Sequence, residues 1–351
     1  MAVDLSKLIV KRKIELAELN NRVIAIDAYN MLYQFLTTIR QPDGNPLTDS
    51  KGNVTSHLSG LFYRTIDLIS NGIKPIYVFD GIPSVLKERT IGIRIRKKEQ
   101  AYEAWQKAKE AGEMEEAKSH ARASTRMTKD IAKSARELLG DMGVYCISAP
   151  GEGEAQASYM CRKGLVYAAA SQDYDTLLFG SPRVARNISI SGRRKLPNKN
   201  FYINVIPELV DLNDTLNSLG INQEKLIWIG LMLGTDFNEG IKGIGPKTAL
   251  KIVKDSNSIK DVEARIKEKY EAGFEPDIDR VIELFRNPEI VEISADEINK
   301  GINLREDKEK ILKFMCDEHD FDVGRVAKQV DALSKMKGSS RQQSMSSWFE
   351  R

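Results

Sequence analysis

Six carboxylates follow short apolar runs in this chain, and the residue types and spacing point to metal chemistry. Val23 to Ile26 runs into Asp27, and Ile76 to Phe79 runs into Asp80. Val144 to Ile147 leads to Glu152 and Glu154, and Val166 to Ala170 leads to Asp173 and Asp175. In an open α/β sheet, ligands gather outside the carboxyl ends of parallel strands. Four such strands would bring all six acids to one edge. At roughly 5 Å and an effective dielectric of about 20, each pair of bare carboxylates repels by about 3 kcal/mol. A positive partner must therefore stand among them. Hard oxygen donors with no Cys or His pattern nearby point to Mg²⁺ or Mn²⁺. The chemistry is that of a multi-carboxylate, divalent-metal phosphoryl-transfer site. Each acid could instead be an ordinary helix cap or first-turn residue, but one shared site explains all four strand ends at once.

The elements that must position these acids alternate in type. A strand at 22–27 precedes an amphipathic stretch from Tyr29 to Leu36, and turn-rich loops follow at 42–46 and 49–53. A helix at about 56–71 then leads into a strand at 75–79. Strand, helix, strand spacing of this kind gives right-handed βαβ units and a mostly parallel sheet flanked by helices. After Asp175, Val184 to Ile190 and Phe201 to Val205 are expected to form a hairpin around the basic turn 192–195, and helices dominate from Pro207 onward.

A chain of 351 residues with 41% apolar content can bury a substantial core. No run approaches the roughly 20 apolar residues of a membrane span, and the N-terminus lacks a signal-peptide layout, so an intracellular protein is expected, cytoplasmic or nucleoid-associated if archaeal. Cys146, Cys161 and Cys316 have no metal-type spacing and suit a reducing interior. His57, His120 and His319 share no motif and read as core or surface residues.

Charge is distributed unevenly. The segment from Lys87 to Arg136 holds 14 Lys and Arg against 8 Asp and Glu, a net +6, whereas the whole chain is +3. The remainder is net acidic, a pattern suited to a polyanionic substrate. Residues 99–121 favour helix with a break at Gly112. Arg122, Arg126, Lys129, Lys133 and Arg136 recur at steps of four and three, which would place all five on one helical face. Lys87, Arg94 and Lys98 have similar spacing just after Asp80. A solvated face is the plain alternative, but a single-signed stripe beside an acidic edge favours phosphate binding.

Two further segments carry signals. Gly240-Ile241-Lys242-Gly243-Ile244-Gly245-Pro246-Lys247 precedes a new helix and resembles the turn of a helix–hairpin–helix element. Its glycines (Gly243 and Gly245 among them) expose successive amides, and Lys247 adds charge, so the turn can hold a backbone phosphate without reading sequence. Near the end, Gln342, Met345, Trp348 and Phe349 fit a Q-x-x-aliphatic-x-x-aromatic-aromatic pattern. Residues 338–351 are polar and serine-rich, hence an expected flexible tail, and the paired aromatics suit one helical turn formed on a partner.

Together these residues resemble the flap structure-specific endonucleases of the 5′ nuclease superfamily, in their archaeal branch. The specific blocks are Ile24-Ala25-Ile26-Asp27-Ala28, Val78-Phe79-Asp80-Gly81, Ala149-Pro150-Gly151-Glu152-Gly153-Glu154-Ala155, Ser171-Gln172-Asp173-Tyr174-Asp175 and Leu233-Gly234-Thr235-Asp236-Phe237. The resemblance implies that Asp27, Asp80, Glu152, Glu154, Asp173, Asp175 and a seventh acid, Asp236, hold two Mg²⁺ ions, with Mn²⁺ as a substitute. It implies that Lys87 and Arg94 reach the scissile phosphate from the base of a helical arch at about 87–136, and that Tyr33 stacks on an adjacent nucleotide. It also implies a K⁺ ion at the Gly-rich turn 240–249, and a C-terminal motif that docks on the replication sliding clamp.

The implied organisation is a single nuclease domain over 1–337, monomeric alone, with the tail beyond it. The implied activity is 5′ flap cleavage of branched DNA by two-metal hydrolysis, with accompanying 5′→3′ exonuclease action, in Okazaki fragment maturation and repair. Rival readings are a general 5′ exonuclease, a junction resolvase, or a non-catalytic DNA-binding clamp accessory. The family's usual Met-Gly start is Met-Ala here, and its usual Phe-Phe ending is Trp348-Phe349.

Overall fold

A computed structural model describes residues 3–349 apart from Gly112, 190–191 and 196–201. Within its helices and strands, the side chains of 88–89, 91, 93–94 (Arg94 among them), 114–115, 117, 192–195, 202–204 and 339–349 lie outside the described residues. Among the described residues nine strands form: β1 (Lys11–Lys13), β2 (Val23–Asp27), β3 (Lys74–Phe79), β4 (Tyr145–Ser148), β5 (Ala168–Ala170), β6 (Arg183–Arg186), β7 (Gly192–Lys195), β8 (Tyr202–Val205) and β9 (Glu208–Asp211). Seven of them make one sheet in the order β1-β9-β6-β5-β2-β3-β4. The pairs β2–β3, β2–β5, β3–β4 and β5–β6 are parallel, whereas β9 runs antiparallel to both β6 and β1.

The central strands alternate strictly between two cores. Ile24, Ile26, Tyr77, Phe79, Ala168 and Ala170 enter one cluster, and Ala25, Ile76, Val78 and Ala169 enter another on the opposite face. Burial on both faces is why these strands read as continuous apolar runs. Helices Ala28–Thr38, Ser56–Ser70 and Lys129–Asp141 cover the first face, joined by Val326, Val330 and Leu333 from the C-terminal helix. Helix Gly153–Arg162 covers the second with Ala157, Met160 and Cys161. A third cluster gathers around β6 and β9 under helices Leu212–Leu219, Gln223–Leu233, Pro246–Lys254, Ile259–Tyr270 and Ile278–Arg286. Cys146, Cys161 and Cys316 are free thiols.

Three local expectations need correction. The cationic stripe from Arg122 to Arg136 is not one helix face. Helix Met114–Ala123 ends at Ser124, and Thr128 caps the next helix by accepting from the Ile131 amide at 3.2 Å. Ser124 and Thr125 turn back to Ala121 O, so local side-chain bonding interrupts the helical period. Lys129, Lys133 and Arg136 keep one face, Arg122 belongs to the preceding helix and Arg126 to the link between the two. The expected hairpin also repartners: β6 pairs with β9, and the basic run Arg193-Arg194-Lys195 is itself strand, paired with β8. Asn187, at φ 61, turns the chain out of the sheet after β6. Finally, the backbone is helical from Val323 to Phe349 rather than loose beyond 338. No Gly or Pro follows Gly338 to stop a helix already anchored by Leu333.

Helix Glu88–Glu110 precedes the expected break and helix Met114–Ala123 follows it, while Gly112 itself lies outside the described residues. His57 lies in the core, with Nε2 at 2.8 Å from Ser134 Oγ, and burial lowers its pKa to about 3. His319 Nδ1 meets Asp49 Oδ2 at 3.0 Å.

Candidate active site

The four acid-bearing strands are contiguous in the sheet, as β5-β2-β3-β4. Asp27 ends β2 and Asp80 follows β3 directly; Glu152 and Glu154 follow β4, and Asp173 and Asp175 follow β5. Parallel pairing puts all these ends on the same edge. The six acids read from strand ends are therefore brought together.

Each is fixed by local bonding. Asp27 Oδ1 accepts from the Asn30 amide at 3.0 Å, so the helix-cap reading of this residue is also true. The Asn30 side chain then donates to Asp173 Oδ2 at 3.1 Å, tying two strand ends together. Asp80 Oδ1 accepts from Gly153 N at 2.7 Å. A Cβ at 153 would stand 2.7 Å from that same oxygen, so glycine is needed for this close approach. Ser171 Oγ donates to Glu154 Oε1 at 2.7 Å and reaches Asp27 Oδ2 at 3.4 Å, and Thr176 Oγ1 donates to Glu154 at 3.1 Å. Asp175 Oδ1 accepts from Val3 N at 3.0 Å, which draws the N-terminal segment to the edge. Asn30, Ser171, Thr176 and Val3 were missed from sequence. Only their spacing from the acids (Asn30 three after Asp27, Ser171 two before Asp173) could have signalled them.

Asp236 arrives from outside the sheet. Helix Gln223–Leu233 ends at Gly234, and Thr235 Oγ1 both donates to Asn238 Oδ1 at 2.8 Å and accepts from Phe237 N at 3.0 Å. That locked turn carries Asp236 to Lys87, whose Nζ lies 3.7 Å from Asp236 Oδ2 and pairs closely with Glu152 Oε2. Lys87 also lies 5.0 Å from the Phe237 ring centroid.

The electrostatics express the excess of negative charge. Burial first, then the neighbouring Asp80 and Asp173, raises the Asp27 pKa well above the carboxylate range. Burial and Asp173, Asp27 and Asp175 do the same to Glu154. Burial with Asp236 pushes Asp175 up to about 7. Asp80 and Glu152 are raised chiefly by burial, which Lys87 partly offsets. Burial works against the Lys87 ammonium, but Glu152, Asp236 and Asp80 outweigh it and raise its pKa. No group of three His, Cys, Asp or Glu among the described residues is already closed to metal-ligand geometry, and Lys87 stands between Glu152 and Asp236. The donor set is nonetheless all oxygen, buried and over-charged, which fits hard divalent cations.

A carboxylate raised on folding contributes stability below its unfolded pKa and loses it as pH rises through the folded value. Acids held low, such as Asp49 at about 2, stay ionised throughout the neutral range. In EDTA, Tm should therefore fall as pH is raised from about 5 to about 8, and saturating Mg²⁺ should flatten the decline. A flat profile in EDTA, read by calorimetry, would remove the picture of mutually repelling buried acids.

The remaining candidates lie around this edge. Tyr33 is 36% exposed, and Lys98 Nζ lies 5.2 Å from its ring centroid, joining helix Ala28–Thr38 to helix Glu88–Glu110. Arg136 donates to Ser148 Oγ at 2.7 Å and stacks 4.1 Å from the Phe79 centroid, so this member of the cationic stripe packs against the sheet. Arg122, Arg126, Lys129 and Lys133 are solvent-facing. Gly243 takes φ +89, Gly245 caps helix Pro246–Lys254, and Lys247 is exposed in its first turn. The side chains of Arg94, Gln342, Met345, Trp348 and Phe349 lie outside the described residues.

Comparison with known proteins finds relatives along the full length of the chain. Residues 1–101 match the XPG N-terminal domain and residues 143–236 the XPG I-region, which together hold all seven acids. Flap endonuclease 1 of Pyrococcus furiosus is 48% identical over 353 residues, covering 100% of both chains. The solved flap endonuclease-1 of Methanococcus jannaschii superposes with a TM-score of 0.74 at 39% identity, covering 96% of this chain and 99% of that one. The catalytic core of Rad2 in complex with DNA substrate shares the fold, at TM-score 0.67 and 22% identity over 95% of this chain and 100% of that chain. On full-length identity of this order, the chain belongs to the flap endonuclease family and is a structure-specific DNA nuclease.

Proposed function

We propose that the acidic edge hydrolyses the phosphodiester at the junction of a 5′ flap with its duplex. The observation that carries this reading is the convergence of seven carboxylates and Lys87 at one sheet edge, next to a segment of net charge +6. Asp27, Asp80, Glu152, Glu154, Asp173, Asp175 and Asp236 would hold two divalent cations, Mg²⁺ or Mn²⁺. When bound, such a pair supplies a water nucleophile at neutral pH and stabilises the leaving 3′ oxygen. Lys87, and Arg94 seven residues on, would offset charge developing on the phosphate. Asn30 and Ser171 hold Asp27, Asp173 and Glu154 in fixed orientations, so little reorganisation is required when charge shifts.

DNA would be held at two further places. Tyr33 would stack on a nucleotide beside the scissile phosphate, with Lys98, Arg122, Arg126, Lys129 and Lys133 drawing in the single strand. The amides around Gly243 and Gly245, with Lys247 and a K⁺ ion, would grip the duplex backbone. Gln342, Met345, Trp348 and Phe349 would dock the enzyme, itself a monomer, on a sliding clamp. Deleting 341–351 should leave cleavage of free flaps within about twofold and abolish stimulation by the clamp. Stimulation that persists would assign the tail another role.

The test of the activity is single-turnover cleavage of a 5′-labelled double flap in Mg²⁺ and in EDTA, beside a 3′ flap and a blunt duplex. One discrete, Mg²⁺-dependent product from the 5′ flap alone is expected. A ladder from every substrate would make the enzyme a general exonuclease, and binding without cutting would leave an accessory factor.

A further inference from the structure

A cavity of about 490 Å³ opens between the arch segment and the body, outside the carboxylate edge. Leu36, Pro46, Val54 and Ile131 give it apolar walls, and Tyr102 and Trp105 face it from helix Glu88–Glu110. Its volume lies in the range of ligand sites, about 300–1,000 Å³. The two rings are tilted by 53° with centroids 5.3 Å apart, and Tyr102 is 44% exposed. Trp105 Nε1 is buried with no hydrogen-bond partner among the described residues. A buried donor without a partner is unfavourable until an acceptor enters.

The cavity continues the line of the active site. Leu36 and Arg40 follow Tyr33 by three and seven residues, and Tyr102 and Trp105 follow Lys98 by four and seven. Lys98 over the Tyr33 ring pins the two segments together at the site end. At about 1.5 Å per residue, the cavity begins roughly 5–10 Å along the helix from Tyr33. Arg40 and Arg126 line it, and Arg122 is close enough to Arg40 to act on it electrostatically. Aromatic walls, one orphan donor and the exposed Arg126 match a nucleotide of single-stranded DNA: a base for the rings and donor, a phosphate for Arg126, since the Arg40 guanidinium already donates to Leu36 O, Gly44 O and Thr125 Oγ1.

We infer that this cavity receives the base of a flap nucleotide one or two positions from the scissile phosphate, with Trp105 Nε1 donating to a ring acceptor. The inference rests on the flap-cleavage reading above. It predicts a thermodynamic cycle. Flap DNA is titrated in Ca²⁺ with wild type and Trp105→Phe, using either an intact base or an abasic residue at each of the first three flap positions. At one position, Trp105→Phe and the abasic substitution should each weaken binding by about fivefold. The two together should weaken it little further, because both remove the same contact. Losses that multiply at every position would overturn the inference and leave Trp105 as packing of the arch. Single-turnover cleavage of the intact flap in Mg²⁺ by wild type separates the two failures. An uncut flap overturns the activity reading, whereas a cut flap with multiplicative losses overturns the cavity assignment alone.

Discussion

Asp80→Ala should lower single-turnover flap cleavage by about 10³-fold or more while leaving flap affinity within about threefold. The residue stands at the end of β3, between the strand ends that carry Asp27 and Glu152. Its Oδ1 receives the Gly153 amide, so its geometry also sets the start of helix Gly153–Arg162, from which Glu154 projects. Truncation would thus remove one oxygen donor and loosen another. The cationic groups that would hold DNA, Lys98, Arg122, Lys129 and Lys247, lie on other segments and should be untouched. Substitution also removes one of the like charges that raise the Asp27 pKa, so metal-free Asp80→Ala should be at least as stable as wild type at pH 8. Cleavage within tenfold of wild type would take Asp80 out of the metal set.

How much of this was legible in the sequence depended on the range of the interaction. The strand-end acids were readable because a parallel strand buried on both faces leaves an unbroken apolar run, and the first polar residue after it marks the sheet edge. Asp236 was not readable that way. It follows a helix and reaches the edge only through a turn held by Thr235 and Asn238, so it came from resemblance alone. The split of the Arg122–Arg136 stripe escaped periodicity because Ser124, Thr125 and Thr128 bond locally, and a helical wheel does not register side-chain competition for backbone groups. The β6–β9 pairing likewise escaped, because nearest-neighbour hairpin reasoning does not anticipate a strand returning antiparallel from beyond a second hairpin. The bonds from Asn30 and Ser171 depend on strand order, which spacing alone does not supply.

Lys87→Met should separate two properties that most active-site changes affect together. As a cation near the reacting phosphate, Lys87 would stabilise developing charge, and its loss should slow single-turnover cleavage by about 10²–10³-fold, with flap affinity changed by less than about threefold. As an ion pair within the site, it has the opposite effect on metal. Its ammonium pairs with Glu152, lies 3.7 Å from Asp236, and is held protonated by these acids and Asp80. A divalent cation entering between the same carboxylates must displace or share that charge. Removing the ammonium takes one counter-charge away from Glu152 and Asp236, so Mn²⁺ measured by electron paramagnetic resonance should bind the DNA-free variant more tightly than wild type. Methionine keeps most of the stem against the Phe237 ring, which limits loss of packing. Slower cleavage with weaker Mn²⁺ binding would mean that Lys87 organises the acids rather than competing with metal for them. Slower cleavage with tighter binding would identify one ammonium that serves as counter-ion before metal arrives and as a charge partner for the phosphate afterwards.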